Sequence, residues 1–150
     1  MSADLDATVE ARLRGAGQRY TPKRRDLVHL LADVGSPRSI PQILADAGEL
    51  KQSSVYRNLA ALEQAGVVRR VPTHEEYGRY ELAEELIGHH HHLVCASCGT
   101  MRDVEVPRKL EATLDASLDR IASRAGFARV QHRLDLVGAC ADCAASGSPE

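Results

Sequence analysis

A chain of 150 residues with a net charge of −2, no Trp and a single Phe is long enough for one domain or two small ones, whose cores must be filled by Leu, Val, Ile and Ala. Its longest apolar run is far too short to cross a bilayer, and Met1-Ser2-Ala3-Asp4 opens an acidic stretch unlike a secretory leader; both point to a soluble cytoplasmic protein and away from membrane and exported classes. The near-neutral total argues against a uniformly basic nucleic-acid binder, yet residues 1–72 hold 11 basic against 8 acidic side chains while residues 73–150 hold 8 against 13.

The basic excess is concentrated in Arg12, Arg14, Arg19, Lys23, Arg24 and Arg25, which form either a phosphate-facing patch or a solvated helix face. Thr21-Pro22 supplies an N-cap and a first-turn proline, after which Leu27, Leu30, Leu31 and Val34 recur at helical spacing up to Gly35. Ser39 caps a second short helix carrying Ile43 and Leu44, which stops near Gly48. A third helix is predicted over residues 53–66 with Val55, Leu59 and Leu62 on its buried stripe. That stripe leaves Ser53, Ser54, Arg57 and Gln64 facing outward and Tyr56 on the shoulder.

Two apolar stretches, 67–71 and 77–82, are joined by a polar turn and predict a β-wing behind a helix-turn-helix. The outward face of the third helix can read DNA. Arg57 can donate bidentately to guanine, Ser53, Ser54 and Gln64 supply adaptable hydrogen bonds, and the Tyr56 ring can contact a thymine methyl. The alternative is an ordinary polar helix surface.

Downstream, 93–95 and 100–106 read as strands, and Pro107 opens a helix through Leu110, Leu114, Leu118 and Ile121 that stops at Gly126. Val130, His132, Leu134 and Leu136 alternate along a final strand leading to Cys140. The order ββαβ predicts a small α/β domain, so the chain as a whole is classed α+β: an N-terminal winged helix-turn-helix followed by this C-terminal domain. Residues 144–150 form a polar, frayed tail.

All four cysteines fall in two C-x-x-C pairs, Cys95/Cys98 and Cys140/Cys143. A C-x-x-C turn places two sulfurs on one edge of a tetrahedron, so two turns complete a four-thiolate zinc shell with bonds of about 2.3 Å. Two disulfides or a redox pair are the alternatives. Neither suits a chain with no export signal and no single C-x-x-C after a strand of a βαβ unit.

Four consecutive histidines, His89 to His92, precede the first pair. In extended backbone alternate side chains take opposite faces, so His89 and His91 point one way and His90 and His92 the other, and one strand can serve two metal sites. Carboxylates within reach of such a fold are Glu81, Asp103, and Glu111 or Asp115. Mixed His and carboxylate shells suit Zn, Fe(II), Mn or Ni.

The strings Arg19-Tyr20-Thr21-Pro22-Lys23-Arg24, Ser53-Ser54-Val55-Tyr56-Arg57-Asn58-Leu59, Arg79-Tyr80-Glu81-Leu82, the run from His89 to Gly99, and Cys140-x-x-Cys143 resemble, in order and over almost the whole chain, the ferric uptake regulator family. The resemblance implies a homodimeric, metal-dependent transcriptional repressor that binds palindromic double-stranded operators. It implies a winged-helix DNA-binding domain over 1–83, a hinge at 84–88 and a dimerisation and metal-binding domain over 89–150. It also implies a structural zinc at Cys95, Cys98, Cys140 and Cys143, a regulatory iron or zinc (Mn or Ni being possible) at Glu81, His90, His92 and Asp103, and an additional site at His89, His91, His132 and an acid of the long helix.

For that acid, Glu111 and Asp115 are rivals one turn apart on one helix face. Arg19 would reach the minor groove or its phosphates. Relatives of this kind place a His before the proline that starts the third helix of the DNA-binding domain. Here Ser36 precedes Pro37, so the regulatory site either lacks that ligand or is completed by the Ser36 region or by His74 in the wing. The zinc-sensing branch uses a cysteine near the wing, where this chain has Ala83. Two other classes of function are compatible with the same ligands: a peroxide-sensing repressor that uses Fe(II) to oxidise its own histidine, and a metal-dependent enzyme, for which the chain offers no nucleophile or substrate-pocket signature.

Overall fold

The computed structural model describes residues 2–73 and 78–147. The chain divides into two compact units, Met1–Gly88 and His89–Glu150.

In the first unit, helix α1 (Ser2–Gly15) precedes α2 (Pro22–Val34), α3 (Ile40–Asp46) and α4 (Gln52–Gln64). Sequence periodicity assigned no helix before Thr21. Leu5, Val9 and Leu13 are spaced four apart, and Val9 and Leu13 are fully buried in the core while Leu5 packs against it. The stripe is narrow, which is why the flanking charges dominate the sequence pattern.

The predicted caps are present. The Thr21 hydroxyl accepts from the Arg24 N–H at 3.4 Å at the head of α2, and Gly35 closes that helix at φ 58°, a left-handed conformation that favours glycine. Ser39 and Gln42 form a reciprocal capping box on α3. Helix α4 starts one residue earlier than predicted, with Lys51 at its N-cap and no side-chain cap bond. Val55, Leu59 and Leu62 are buried as the stripe requires.

The wing is the antiparallel pair β1 (Val68–Val71) and β2 (Arg79–Leu82), with Glu81 opposite Arg69. A two-way backbone bridge between Arg38 and Tyr80, at 2.8 and 2.7 Å, ties the entry to α3 onto β2. Gly78 re-enters the pair at φ 65°, where a Cβ would lie 3.3 Å from the Val71 carbonyl oxygen. His74 and Tyr77, named from sequence as a possible ligand and the start of the second wing strand, lie outside the described residues. A short helix α5 (Glu84–Ile87) ends the unit, with Leu86 packed on the core.

The second unit is a three-stranded sheet with one long helix. Strands β3 (His91–Cys95) and β4 (Met101–Val104) are antiparallel, β5 (Asp135–Gly138) runs parallel to β3 on its other side, and α6 (Arg108–Arg124) provides the crossover between β4 and β5. A one-turn helix α7 (Ala141–Ala145) follows Cys140, so part of the predicted frayed tail is helical.

The last predicted strand is shorter than its alternation suggests. Residues 130–134 form no strand, and β5 begins only at Asp135, opposite His92. The cause is the partner: β3 starts at His91, preceded by Gly88 and helix α5, so upstream of Asp135 there is no strand to continue the ladder. For the same reason the predicted 100–106 strand ends at Val104, which pairs with His91, the first residue of β3.

No helix of the described chain is long and apolar enough to cross a membrane.

Candidate metal centres and DNA-facing helix

The four sulfurs meet at one end of the second unit. Cys95 closes β3, a turn returns the backbone so that the Gly99 N–H donates to the Cys95 carbonyl at 2.9 Å, and Cys140 and Cys143 sit at the N-cap and in the body of α7. All four Sγ atoms lie within 4.8 Å of one another. Cys98 Sγ and Cys140 Sγ are 3.7 Å apart. A regular tetrahedron with Zn–S bonds of about 2.3 Å has edges of about 3.8 Å. The spacing therefore matches a zinc shell, and all four thiols are free rather than disulfide-bonded. The Cys140 backbone N–H, donated to Cys95 Sγ at 3.3 Å, draws the Cys95 thiol down to about 6. The proton shared with the Cys140 thiol pushes Cys143 up to about 12. Thiols packed this closely cannot all ionise without a cation among them.

The histidines alternate as extended backbone requires, although only His91 and His92 lie within β3. On one face, His89, His91 and His132 surround Glu111, with donor atoms all within 4.8 Å of one another. His89 Nε2 is 2.9 Å from Glu111 Oε1 and His91 Nε2 is 3.0 Å from Oε2. These imidazoles, His91 first, hold the Glu111 carboxyl below its ordinary range. His132 Nε2 is buried and 2.7 Å from Glu111 Oε1, yet it forms no hydrogen bond of acceptable geometry. Nitrogen and oxygen atoms this close but not aimed at each other are what ligands of a common ion show, so the donor set fits a divalent metal.

The two rival acids sit differently. Glu111 belongs to the cluster, while Asp115, mostly exposed, places Oδ1 3.1 Å from the other ring nitrogen of His132, Nδ1. Asp115 thus meets His132 on the ring nitrogen that faces away from the cluster.

On the other face, His90, His92 and Asp103 bring their ligand atoms within 4.8 Å of one another. The two rings stand edge to face at 5.1 Å, and His92 Nε2 is 3.9 Å from Asp103 Oδ1. His92 is 3% exposed. Its Nδ1 lies 3.2 Å from Asp135 Oδ1. Asp135 went unnoticed in the sequence because nothing short of the β3–β5 register places it beside His92.

Glu81, the fourth residue named for this group, sits on β2 in the first unit, 3% exposed. One of its oxygens, Oε1, accepts from Arg69 Nε at 2.6 Å, and Arg69 also reaches Glu84 Oε2 at 3.6 Å. Ser36 lies in the short turn between α2 and α3.

On α4, Ser53, Tyr56, Arg57 and Gln64 are exposed. Ser54 differs: half-buried, its hydroxyl and carbonyl oxygens both accept from Asn58 Nδ2, at 3.2 and 2.9 Å. Asn58 Oδ1 in turn accepts from Arg24 Nε at 3.2 Å, and Arg24 Nη1 donates to the Arg19 carbonyl at 2.6 Å. The chain Ser54–Asn58–Arg24–Arg19 locks the segment before α2 to the first turn of α4.

The predicted basic patch is correspondingly thinner than its sequence suggests. Arg12 donates to the Gly66 carbonyl, Arg14 pairs with Glu10, and Arg25 pairs with Asp6 and lies over the Tyr20 ring. Arg19 and Lys23 are exposed and make no ion pair among the described residues. Tyr20 OH donates to Asp6 Oδ1 at 2.6 Å, and burial together with that bond moves the phenol well above its ordinary range. Arg19 is therefore flanked by two anchored side chains, Tyr20 and Arg24.

If α4 reads base edges through Arg57, replacing that residue by Ala weakens binding to a cognate duplex by about 1–3 kcal/mol, the cost of losing a bidentate base contact. Metal content should be unchanged. Arg19→Ala should instead reduce the salt dependence of binding with little effect on sequence preference. Fluorescence anisotropy at several salt concentrations, on specific and random duplexes, separates the two.

The comparisons with known proteins converge. Residues 15–137 match the model of the ferric uptake regulator family. The chain is 33% identical over 144 residues to the ferric uptake regulation protein of Neisseria meningitidis, covering 91% of this chain and 94% of that one. It is 28% identical to the peroxide-responsive repressor of Staphylococcus saprophyticus, covering 95% and 98%. Among solved structures, the Helicobacter pylori ferric uptake regulator, with three functional metal binding sites, superposes with a TM-score of 0.75 at 22% identity, covering 99% and 97% of the two chains. With the family model matching most of its length, the chain belongs to the ferric uptake regulator family.

Proposed function

We propose that this protein is a homodimeric transcriptional repressor that binds palindromic operators when a divalent metal, iron or zinc, occupies a site made of Glu81, His90, His92 and Asp103. Membership in a family of regulators sets the class of activity. The observation that carries this proposal is the alternation of four consecutive histidines, at and just before the start of β3, into two donor clusters. Residues 1–83 act as the winged-helix DNA-binding domain, 84–88 as a hinge, and 89–150 as the dimerisation and metal-binding domain.

Each metal has a distinct task in this scheme. A zinc in the four-thiolate shell is structural, because a closed shell offers no position for exchange. The His89, His91, Glu111 and His132 cluster takes an additional metal that supports the same domain. The set His90, His92 and Asp103 becomes regulatory through Glu81. A ligand can shift a conformational equilibrium only through its differential affinity for the two states, and a donor set drawn from both sides of a hinge is the arrangement that produces such a difference. With metal bound, one hinge angle is favoured, and the two copies of α4 in the dimer are set to reach successive major grooves.

The second unit supports dimerisation. Leu110, Ile121, Phe127, Val130, Leu136 and Val137 are all exposed. Its buried apolar side chains among the described residues are only Cys95 and Met101. A domain with so little core needs a metal, a partner or both. Placing a charge on this exposed apolar surface, as in Val137→Asp or Ile121→Asp, should weaken dimerisation by about 3 kcal/mol, roughly 100-fold, wherever the substituted position is covered in the dimer and an unpaired carboxylate is buried. Analytical ultracentrifugation across a concentration series reads this directly.

The effector is identified by measuring DNA affinity against buffered free Zn, Fe(II), Mn and Ni. Binding that responds to none of the four would refute the proposal. A gain of one oxygen mass on a histidine after peroxide treatment of the iron-loaded protein would instead assign peroxide sensing, as in the staphylococcal relative's name.

A further inference from the structure

His92 has two ring nitrogens with different neighbours. Nε2 faces the His90 and Asp103 side, 3.9 Å from Asp103 Oδ1, and Nδ1 faces Asp135 Oδ1 at 3.2 Å. The β3–β5 register fixes this: His92 and Asp135 are direct partners across a parallel pair, so their side chains leave the same face of the sheet. His92 is buried, whereas Asp135 is more than a third exposed. The strand, rather than burial, therefore holds the carboxylate in place.

We propose that Asp135 is a positioning residue for the regulatory metal site. It accepts the Nδ1–H of His92, which fixes the tautomer that leaves Nε2 with a bare lone pair, and it locks the ring so that this lone pair points at the space shared with His90 and Asp103. A neutral imidazole ligates through one nitrogen only when the other carries the proton, and an anionic acceptor on that proton also raises the basicity of the ligating nitrogen. The same arrangement recurs independently on the opposite face, where His132 offers Nδ1 to Asp115 at 3.1 Å and Nε2 to the Glu111 cluster. The segment from His132 to Asp135 thus supplies a ligand to one site and an orienting carboxylate to the other. The proposal rests on His90, His92 and Asp103 being metal ligands, as argued above.

The test uses the full-length protein with its four-thiolate zinc in place and titrates Co(II) against a chromophoric chelator. Asp135→Ala should weaken the regulatory site about 10- to 100-fold, while Asp135→Asn, which keeps an acceptor oxygen at the same position, should recover most of that loss. In the form lacking the labile metal, 15N NMR should show wild-type His92 protonated on Nδ1 and a mixture of tautomers in Asp135→Ala. Wild-type Co(II) affinity in Asp135→Ala would overturn the proposal. So would a His92 protonated on Nε2 in the wild type, or loss of the four-thiolate zinc alongside the weaker site. His90→Ala in the same titration isolates the underlying reading: if it keeps full affinity, the ligand assignment fails, and the His92 tautomer still decides what Asp135 does.

Discussion

Cys95→Ser or Cys140→Ser should cost the protein its tightly held zinc and, with it, the fold of residues 89–147. The expectation follows from how little else holds this unit together. Among its described residues Cys95 and Met101 are the only buried apolar side chains, α6 has no buried residue, and β5 is exposed along its length. The ends of β3 and β5 are tied at the thiolate cluster: the Ala96 N–H donates to the Gly138 carbonyl at 2.8 Å, and the Cys140 N–H donates to Cys95 Sγ at 3.3 Å. Zinc in a four-thiolate shell contributes on the order of 10 kcal/mol to folding at neutral pH, comparable to the whole stability of a small domain. Losing one ligand is enough to forfeit it. Zinc content by mass spectrometry, circular dichroism and sedimentation should all change together. A serine variant that remains a folded dimer and still responds to metal would show that the thiolates are not the staple of this unit. The first unit, with fourteen buried residues in one apolar cluster, should keep its helical signal in either variant.

His90→Ala should abolish the metal-dependent gain in operator affinity, and His89→Ala should leave it in place. Both substitutions remove one imidazole from the same short segment, so side-chain loss alone cannot distinguish them. The face does. His90 belongs with His92 and Asp103, the group assigned to regulation, and His89 belongs with His91, Glu111 and His132. Allosteric couplings are typically about 1–3 kcal/mol, 5- to 150-fold in affinity, and that whole increment should vanish in His90→Ala. Asp103→Ala should resemble His90→Ala. His132→Ala should resemble His89→Ala, with a less stable dimer and an intact response. Operator titrations at fixed free metal decide the matter. A response that survives His90→Ala but disappears in His89→Ala would mean that the regulatory and additional faces have been exchanged.

What the sequence made legible here was carried by local chemistry. Thr21-Pro22 and Ser39 mark their helix starts by residue type alone. The two C-x-x-C pairs declare their partners by residue type, and four adjacent histidines must alternate wherever the backbone is extended. What it hid depended on distant partners. The alternation of residues 130–136 looked like a strand along its whole length, but a strand exists only where a neighbour offers a ladder, and β3 offers none before His91. Arg24 looked like a phosphate contact until its Nε and Nη1 were found on Asn58 and the Arg19 carbonyl. Asp135 carried no signal at all, because its meaning comes from a parallel register that joins residues far apart in the chain. Helix α1 was obscured by composition: its apolar stripe is only one residue wide, and the charges on either side of it dominate the pattern.

An exchangeable metal, distinct from the structural zinc, is proposed to license DNA binding. The most direct measurement is the operator affinity of protein from which a mild chelator has removed the labile metal while a single zinc per chain remains. The stripped protein should be a folded dimer that has lost its preference for the operator and regains it when a divalent metal is added back. A stripped protein that binds the operator as tightly as the loaded one would contradict it.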